Sequence, residues 1–322
     1  MKRTGNLYHK IYGIDNLKLA DKKARKNKKN QCGVKRHDRN REDNIINLHH
    51  ILKNKEYTTS EYKLFTIFDG KQRDIYRLPY YPDRITHHAI MNVLEPIFVS
   101  CFTKDTYSCI KDRGIHKALE NLTKSLKDRA GTKYCLKLDI HKFYPSVKNE
   151  ILERLLRKKF KDDDLLYLLY NIIDSAQGVP IGNYLSQYFA NFYLTYFDHW
   201  LKEELKVKHY FRYCDDIVIL SDNKEELHRI LHEIIKYLDE KLELKLSNYQ
   251  IFPVESRGID FVGYRSFHKF ILLRDGIKRR FIKMIKYNKN TKSIASYRGW
   301  LIHCNSFKLR NKYLNESRII RN

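Results

Sequence analysis

Two periods organise the apolar and polar positions of this chain. Tyr134-Cys135-Leu136-Lys137-Leu138-Asp139-Ile140 alternates like a strand that ends on an acid. Residues 56–82 are rich in Tyr, Phe and Ile and break at Asp69-Gly70, which predicts a hairpin. From Asp83 to about Phe98 the apolar residues fall at helical spacing, with Asp83 as the N-cap. Residues 148–160 read as a helix, Gly178, Pro180 and Gly182 mark a loop, and an amphipathic helix follows from about Tyr184 to Leu205. Asp222 and Glu225 suggest a capping box for a helix with the stripe Leu227, Ile230, Leu231, Ile234, Ile235 and Leu238. Short strands are expected between Phe252 and Leu272, and the first 50 residues read as a Lys-rich helical segment. The succession predicts an α+β fold, an antiparallel sheet backed by helices.

One stretch stands apart from these periods. In Tyr210-Phe211-Arg212-Tyr213-Cys214-Asp215-Asp216-Ile217-Val218-Ile219-Leu220, apolar and aromatic residues run up to two adjacent acids and β-branched residues run away from them. This predicts a β-hairpin with two carboxylates at its turn. Like charges repel there, and a hard divalent cation, which prefers carboxylate oxygens, would remove the conflict. Asp139, at the end of its own strand, is a third candidate; alone it would read as the cap of the next helix. Three carboxylates on neighbouring strands can hold two Mg²⁺ ions about 4 Å apart, with phosphates and water as the other ligands.

Composition adds a partner. The 322 residues carry a net charge of +25, and its placement is uneven. Residues 1–42 hold 14 Lys/Arg against 4 Asp/Glu, and residues 277–322 hold 13 against 1. A polyanion held by both ends is the simplest reading, with salt-dependent binding as its consequence. Solvated tails are the alternative, a weaker one at the C-terminus, where Phe281, Ile285, Tyr287, Tyr297, Trp300 and Leu301 interrupt the charge. The 42% hydrophobic content allows a sizeable core, yet no run of about 18 apolar residues predicts a membrane span. The N-terminus lacks an apolar signal-peptide region. Six scattered cysteines without a CxxC pair point to reduced thiols in a cytoplasm rather than to zinc. His228 and His232, four apart on a helix without an evident third ligand, read as solvated face residues.

Leu138-Asp139 followed by Phe143-Tyr144, then a Gly…Ser loop and helix, then Tyr213-Cys214-Asp215-Asp216, resembles the palm motifs of reverse transcriptases. Asp83-Arg84-Ile85 with His87-His88 resembles the family's fingers helix, and Ile259-Asp260-Phe261-Val262-Gly263-Tyr264 resembles its primer grip. The resemblance implies a right-hand polymerase: a basic N-terminal extension (1–50), fingers (51–133 with part of 148–180), a palm (134–265) and a short basic helical thumb (266–322). It implies RNA-templated DNA synthesis with Asp139, Asp215 and Asp216 as catalytic metal ligands, Ile140 beside them, and two Mg²⁺ ions, or Mn²⁺ in their place. Tyr144 falls where the family places a steric gate against a 2′-hydroxyl. Lys71 and Arg73, with Arg77 as a competitor, follow the Gly70 turn where basic residues hold the triphosphate. Ser186, Gln187, Gly263 and Tyr264 are the implied template and primer contacts. Gln250 departs from the basic residue often found in that region, which weakens a general-acid lysine there.

The loop Pro180-Ile181-Gly182-Asn183-Tyr184-Leu185-Ser186-Gln187 narrows the resemblance. Most bacterial members have Gln where Ile181 stands and Pro where Gln187 stands. The pattern, like the compact length, is similar to reverse transcriptases of diversity-generating retroelements. The resemblance implies a bacterial or phage enzyme that copies a template RNA into cDNA with errors at adenines, with a basic accessory variability protein as partner. Isoleucine packs where glutamine would make polar contacts with the incoming nucleotide, and fidelity is a difference of transition-state energies. A net hydrogen bond is worth about 0.5–1.5 kcal/mol, a several-fold loss of selectivity. The plainer reading of Ile181 is a residue filling a loop pocket beside Gly182. Retron, group II intron-like and phage-defence reverse transcriptases are the rival classes, and an RNA-binding scaffold is the non-enzymatic one.

Overall fold

The computed structural model describes residues 2–68, 72–287 and 290–315. The chain divides into two compact units, each discontinuous in sequence. The first gathers residues 1–103, 141–200 and 236–245; the second gathers 104–140, 201–235 and 246–322.

The first unit is largely helical. Its opening segment forms helices Tyr8–Tyr12, Ile14–Ala24, Cys32–Asp38 and Arg41–Lys53, as the Lys-rich pattern predicts. Strands β1 (Lys63–Phe68) and β2 (Gln72–Arg77) pair antiparallel, Phe68 opposite Gln72, in the expected hairpin. The next helix spans Ile85–Cys101, but Asp83 does not cap it. Asp83 is buried and accepts hydrogen bonds from the Tyr57 hydroxyl (2.8 Å) and the Ser60 amide (3.0 Å). Burial of an acid is tolerated when such donors replace water. The helix Asn149–Lys159 is as expected, whereas Asp163–Asp174 carries no prediction. The anticipated helix at 184–205 is two, Ser186–Tyr193 and Thr195–Glu203, broken at Leu194. Phe98 anchors the core, its ring meeting those of Phe160, Phe189 and Phe192.

A second anchor in this unit is Asp21, fully buried. Arg25 and Arg41 each reach its carboxylate at 2.8 Å, and the Tyr80 hydroxyl donates to it at 2.5 Å. Burial pushes its pKa up, but the hydrogen bonds from Tyr80, Arg25 and Arg41 outweigh that and hold it below the usual carboxylate range. Breaking such a buried pair typically costs about 3–5 kcal/mol.

The second unit is built on a four-stranded antiparallel sheet in the order β4-β5-β3-β6: β3 is Tyr134–Ile140, β4 His209–Tyr213, β5 Asp216–Ser221 and β6 Leu246–Pro253. A smaller sheet holds β7 (Ile259–Phe261), β8 (Tyr264–Ser266) and β9 (Ile271–Leu273). Strand β6 begins earlier than the apolar pattern suggests and pairs with β3. A helix at Ile115–Ser125 is likewise unforeseen. The helix Lys224–Leu242, whose C-terminal turns belong to the first unit, is capped by Asn223, one residue after the expected Asp222: the Asn223 side chain accepts the Glu226 amide at 3.1 Å. Helices Asp275–Tyr287 and Thr291–Leu301 bury Phe281, Ile285 and Leu301 in one cluster with Phe261 and Tyr264 and leave their Lys and Arg outside. This is the predicted division into an apolar and a basic face.

Candidate active site

Strand β5 starts at Asp216, and Tyr213 pairs with Asp216 in register, so only Cys214 and Asp215 make the turn. A two-residue hairpin loop needs left-handed backbone, and Cys214 supplies it with φ of 57°. A non-glycine residue there costs on the order of 1–2 kcal/mol, so its surroundings must hold it. The buried Arg212 does so by donating to the Cys214 carbonyl at 3.0 Å, and the Ser108 hydroxyl meets the Cys214 sulfur at 2.9 Å. Arg212 is itself fixed by backbone bonds with Asp105 and Tyr107.

Across the sheet, Asp139 on β3 stands directly opposite Asp216 on β5. The three acids therefore share one end of the sheet, two on facing strands and one in the adjoining turn. Asp139 accepts a 2.6 Å hydrogen bond from the Ser247 hydroxyl on β6. Burial pushes the Asp216 carboxyl up to about 6; Lys137 opposes the shift and Asp215 adds to it. Its Oδ1 is buried without a hydrogen-bond partner and faces the Lys137 ammonium at 3.4 Å. A carboxylate oxygen held only by an ion pair, beside two further acids, suits a divalent cation. Among the described residues no three His, Cys, Asp or Glu side chains converge as a ready-made cage. Asp139, Asp215 and Asp216 would thus hold Mg²⁺ together with phosphate and water oxygens, and Ile140 could add only its carbonyl. His228 and His232 border a surface hollow with Glu226, Arg229 and Glu233 but form no such cage either.

The nucleotide-binding candidates sit in the first unit, joined to one another by backbone bonds. The Val179 amide donates to the Tyr144 carbonyl at 2.9 Å, and the Tyr76 amide on β2 donates to the Ile181 carbonyl at 2.8 Å. The loop thereby stitches the Tyr144 turn to the strand that carries Arg73. Gly182, with φ of 127°, lies so close to β2 that a Cβ would sit 2.3 Å from the Tyr76 carbonyl oxygen. Tyr144 and Ile181 are half-buried, while Arg73 and Gln187 are exposed. Lys71 lies outside the described residues. Of the expected template and primer contacts, the buried Ser186 hydroxyl donates to the Pro180 carbonyl (2.5 Å) and the Tyr264 hydroxyl donates to the Trp300 carbonyl (3.0 Å). Gly263 (φ 87°) accommodates the Trp300 ring, which a Cβ would meet at 2.4 Å.

Sequence reading missed Lys137, Arg212 and Ser247. The alternation of β3 places Lys137 on the same face as Asp139, which is a usable signal; Ser247 becomes visible only once β6 is paired.

Solved structures confirm the architecture. Telomerase from Candida albicans, in complex with a fragment of telomeric RNA, superposes with a TM-score of 0.51 at 12% identity, over 74% of this chain and 52% of that one. A truncated telomerase from Candida tropicalis gives 0.52 at 14%, over 68% and 55%. The class is an α+β polymerase fold. The chain belongs to the reverse transcriptase (RNA-dependent DNA polymerase) family, whose model matches residues 52–266. Among curated proteins it is 24% identical to Escherichia coli protein YkfC, over 62% of this chain and 65% of that protein. It is also 24% identical to the group II intron-encoded protein LtrA of Lactococcus lactis, over 54% and 30%. The chain thus spans less than two thirds of these relatives.

Proposed function

We propose that this protein copies an RNA template into cDNA by Mg²⁺-dependent nucleotidyl transfer. The carrying observation is the direct opposition of Asp139 and Asp216 across β3 and β5, with Asp215 in the adjoining turn. When bound there, two Mg²⁺ ions would lower the pKa of the attacking primer hydroxyl and stabilise charge at the leaving oxygen. The chain's own residues orient the rest. Asp139, Asp215 and Asp216 would hold the ions, Arg73 and Lys71 bind the triphosphate of the dNTP, and Tyr144 excludes a 2′-hydroxyl. Residues 51–133 with part of 148–180 act as fingers, 134–265 as palm and 266–322 as thumb. The basic ends hold template RNA and the RNA–cDNA duplex.

Ile181 and Gln187 favour the diversity-generating subclass, with errors at template adenines and an accessory variability protein as partner. A group II intron-like enzyme is the second reading, favoured by the likeness to LtrA. Purified protein should extend a DNA primer on an RNA template, and sequenced cDNA should show misincorporation concentrated opposite adenines. Extension with evenly spread errors selects the second reading. Tight RNA binding without incorporation under any metal leaves only a scaffold.

A further inference from the structure

Lys137 is placed against Asp216 of β5 by an ion pair, and the proposed chemistry gives it no task. Its ammonium stands 3.4 Å from Asp216 Oδ1 and also donates to the backbone carbonyl of Asp260 on β7. Asp260 is fixed in turn: its carboxylate accepts Arg274 Nε at 2.5 Å, and the Arg274 amide donates to the Gly263 carbonyl at 3.0 Å. Lys137 therefore does not lie loosely on the surface. It spans from the catalytic turn to the β7–β8 hairpin, and Arg274 ties that hairpin to the start of the helix Asp275–Tyr287.

A fixed positive charge beside a metal-binding carboxylate has a definite consequence. It neutralises part of the charge that Asp215 and Asp216 put at the turn, and it repels a divalent ion approaching the same oxygen. At ion-pair distances in a partly buried site this repulsion is large enough to shift affinity by about tenfold or more. Resting on the metal reading above, we propose that Lys137 is a positioning residue that serves as the built-in counter-cation of Asp216 and holds that carboxylate's affinity for the divalent ion down. The ion is then bound firmly only when the triphosphate of a nucleotide brings further negative charge. Metal loading is coupled to substrate arrival, and the turn stays neutralised and ordered between turnovers.

The direction of this effect separates it from a structural role. Damage to the fold weakens metal binding, whereas removal of a competing cation strengthens it. The test is Mn²⁺ binding followed by electron paramagnetic resonance on the full chain without nucleotide, with folding checked by circular dichroism. Lys137→Met should bind Mn²⁺ about tenfold more tightly than the unaltered protein. Should Lys137→Met not fold, Lys137→Gln carries the same expectation, because it keeps a donor for the Asp260 carbonyl and loses the charge. Unchanged or weaker Mn²⁺ binding in the folded variant overturns the role of Lys137 while the metal reading stands. Failure of the unaltered protein to bind Mn²⁺ at all overturns the metal reading and this role with it.

Discussion

Burial lifts the Asp216 carboxyl to about 6, and the adjacent Asp215 pushes the same way against Lys137. Only the ionised carboxylate can hold a cation, so proton and metal compete for it. Primer extension at limiting Mg²⁺ should therefore fall as the pH drops through about 6, and the acid limb should move lower as Mg²⁺ is raised. A limb near the ordinary aspartate value, indifferent to Mg²⁺, would show that Asp216 is not the group that matters. The acids themselves were legible from sequence because two adjacent carboxylates between apolar strands repel each other unless a cation offsets them. Their supports were not. Lys137 lies two residues before Asp139 and looks like any polar position of an alternating strand, while Arg212 and Ser247 act on Cys214 and Asp139 through pairings that only the fold creates.

Among elements, the loop at 178–182 does the joining in the first unit, through amide-carbonyl bonds to Tyr144 and β2. Gly182 is where that junction tolerates no side chain, since its φ is positive and the Tyr76 carbonyl lies 2.3 Å from a would-be Cβ. Gly182→Ala should destabilise the protein by about 1–3 kcal/mol and raise KM for the dNTP. Gly276→Ala, in a helix with open space around it, should stabilise by about 0.4–1 kcal/mol. Calorimetry that finds Gly182→Ala neutral would contradict this account of the loop. Strand β3 could be read from its alternation, and the hairpins from aromatic and β-branched runs interrupted at a turn. Strand β6 could not, because an edge strand pairs on one side only and its Ser247, Asn248 and Tyr249 stay exposed. The cap at Asn223 was displaced by one residue because Asp222 and Asn223 are equally good cap chemistry and tertiary packing chose between them.

For the whole molecule, both strongly basic ends fall largely outside the span matched by the family model, residues 52–266. The core of the polymerase fold is thus nearly neutral, and the charge is carried by what flanks it. The fold class was legible because five ordered motifs agree on it. The subclass was less so, since it hangs on Ile181 and Gln187 in one loop, and a loop records its neighbours less strictly than a core does. Asp139→Ala and Asp215→Ala should each keep the thermal transition of the unaltered protein within a few degrees, as expected for changes at a partly exposed site. The decisive measurement is extension of a DNA primer on an RNA template, in Mg²⁺, by both variants beside the unaltered enzyme. Incorporation by the unaltered enzyme and none by either folded variant is the predicted result. Extension by either variant at the unaltered rate would contradict the assignment of the three carboxylates as the catalytic centre.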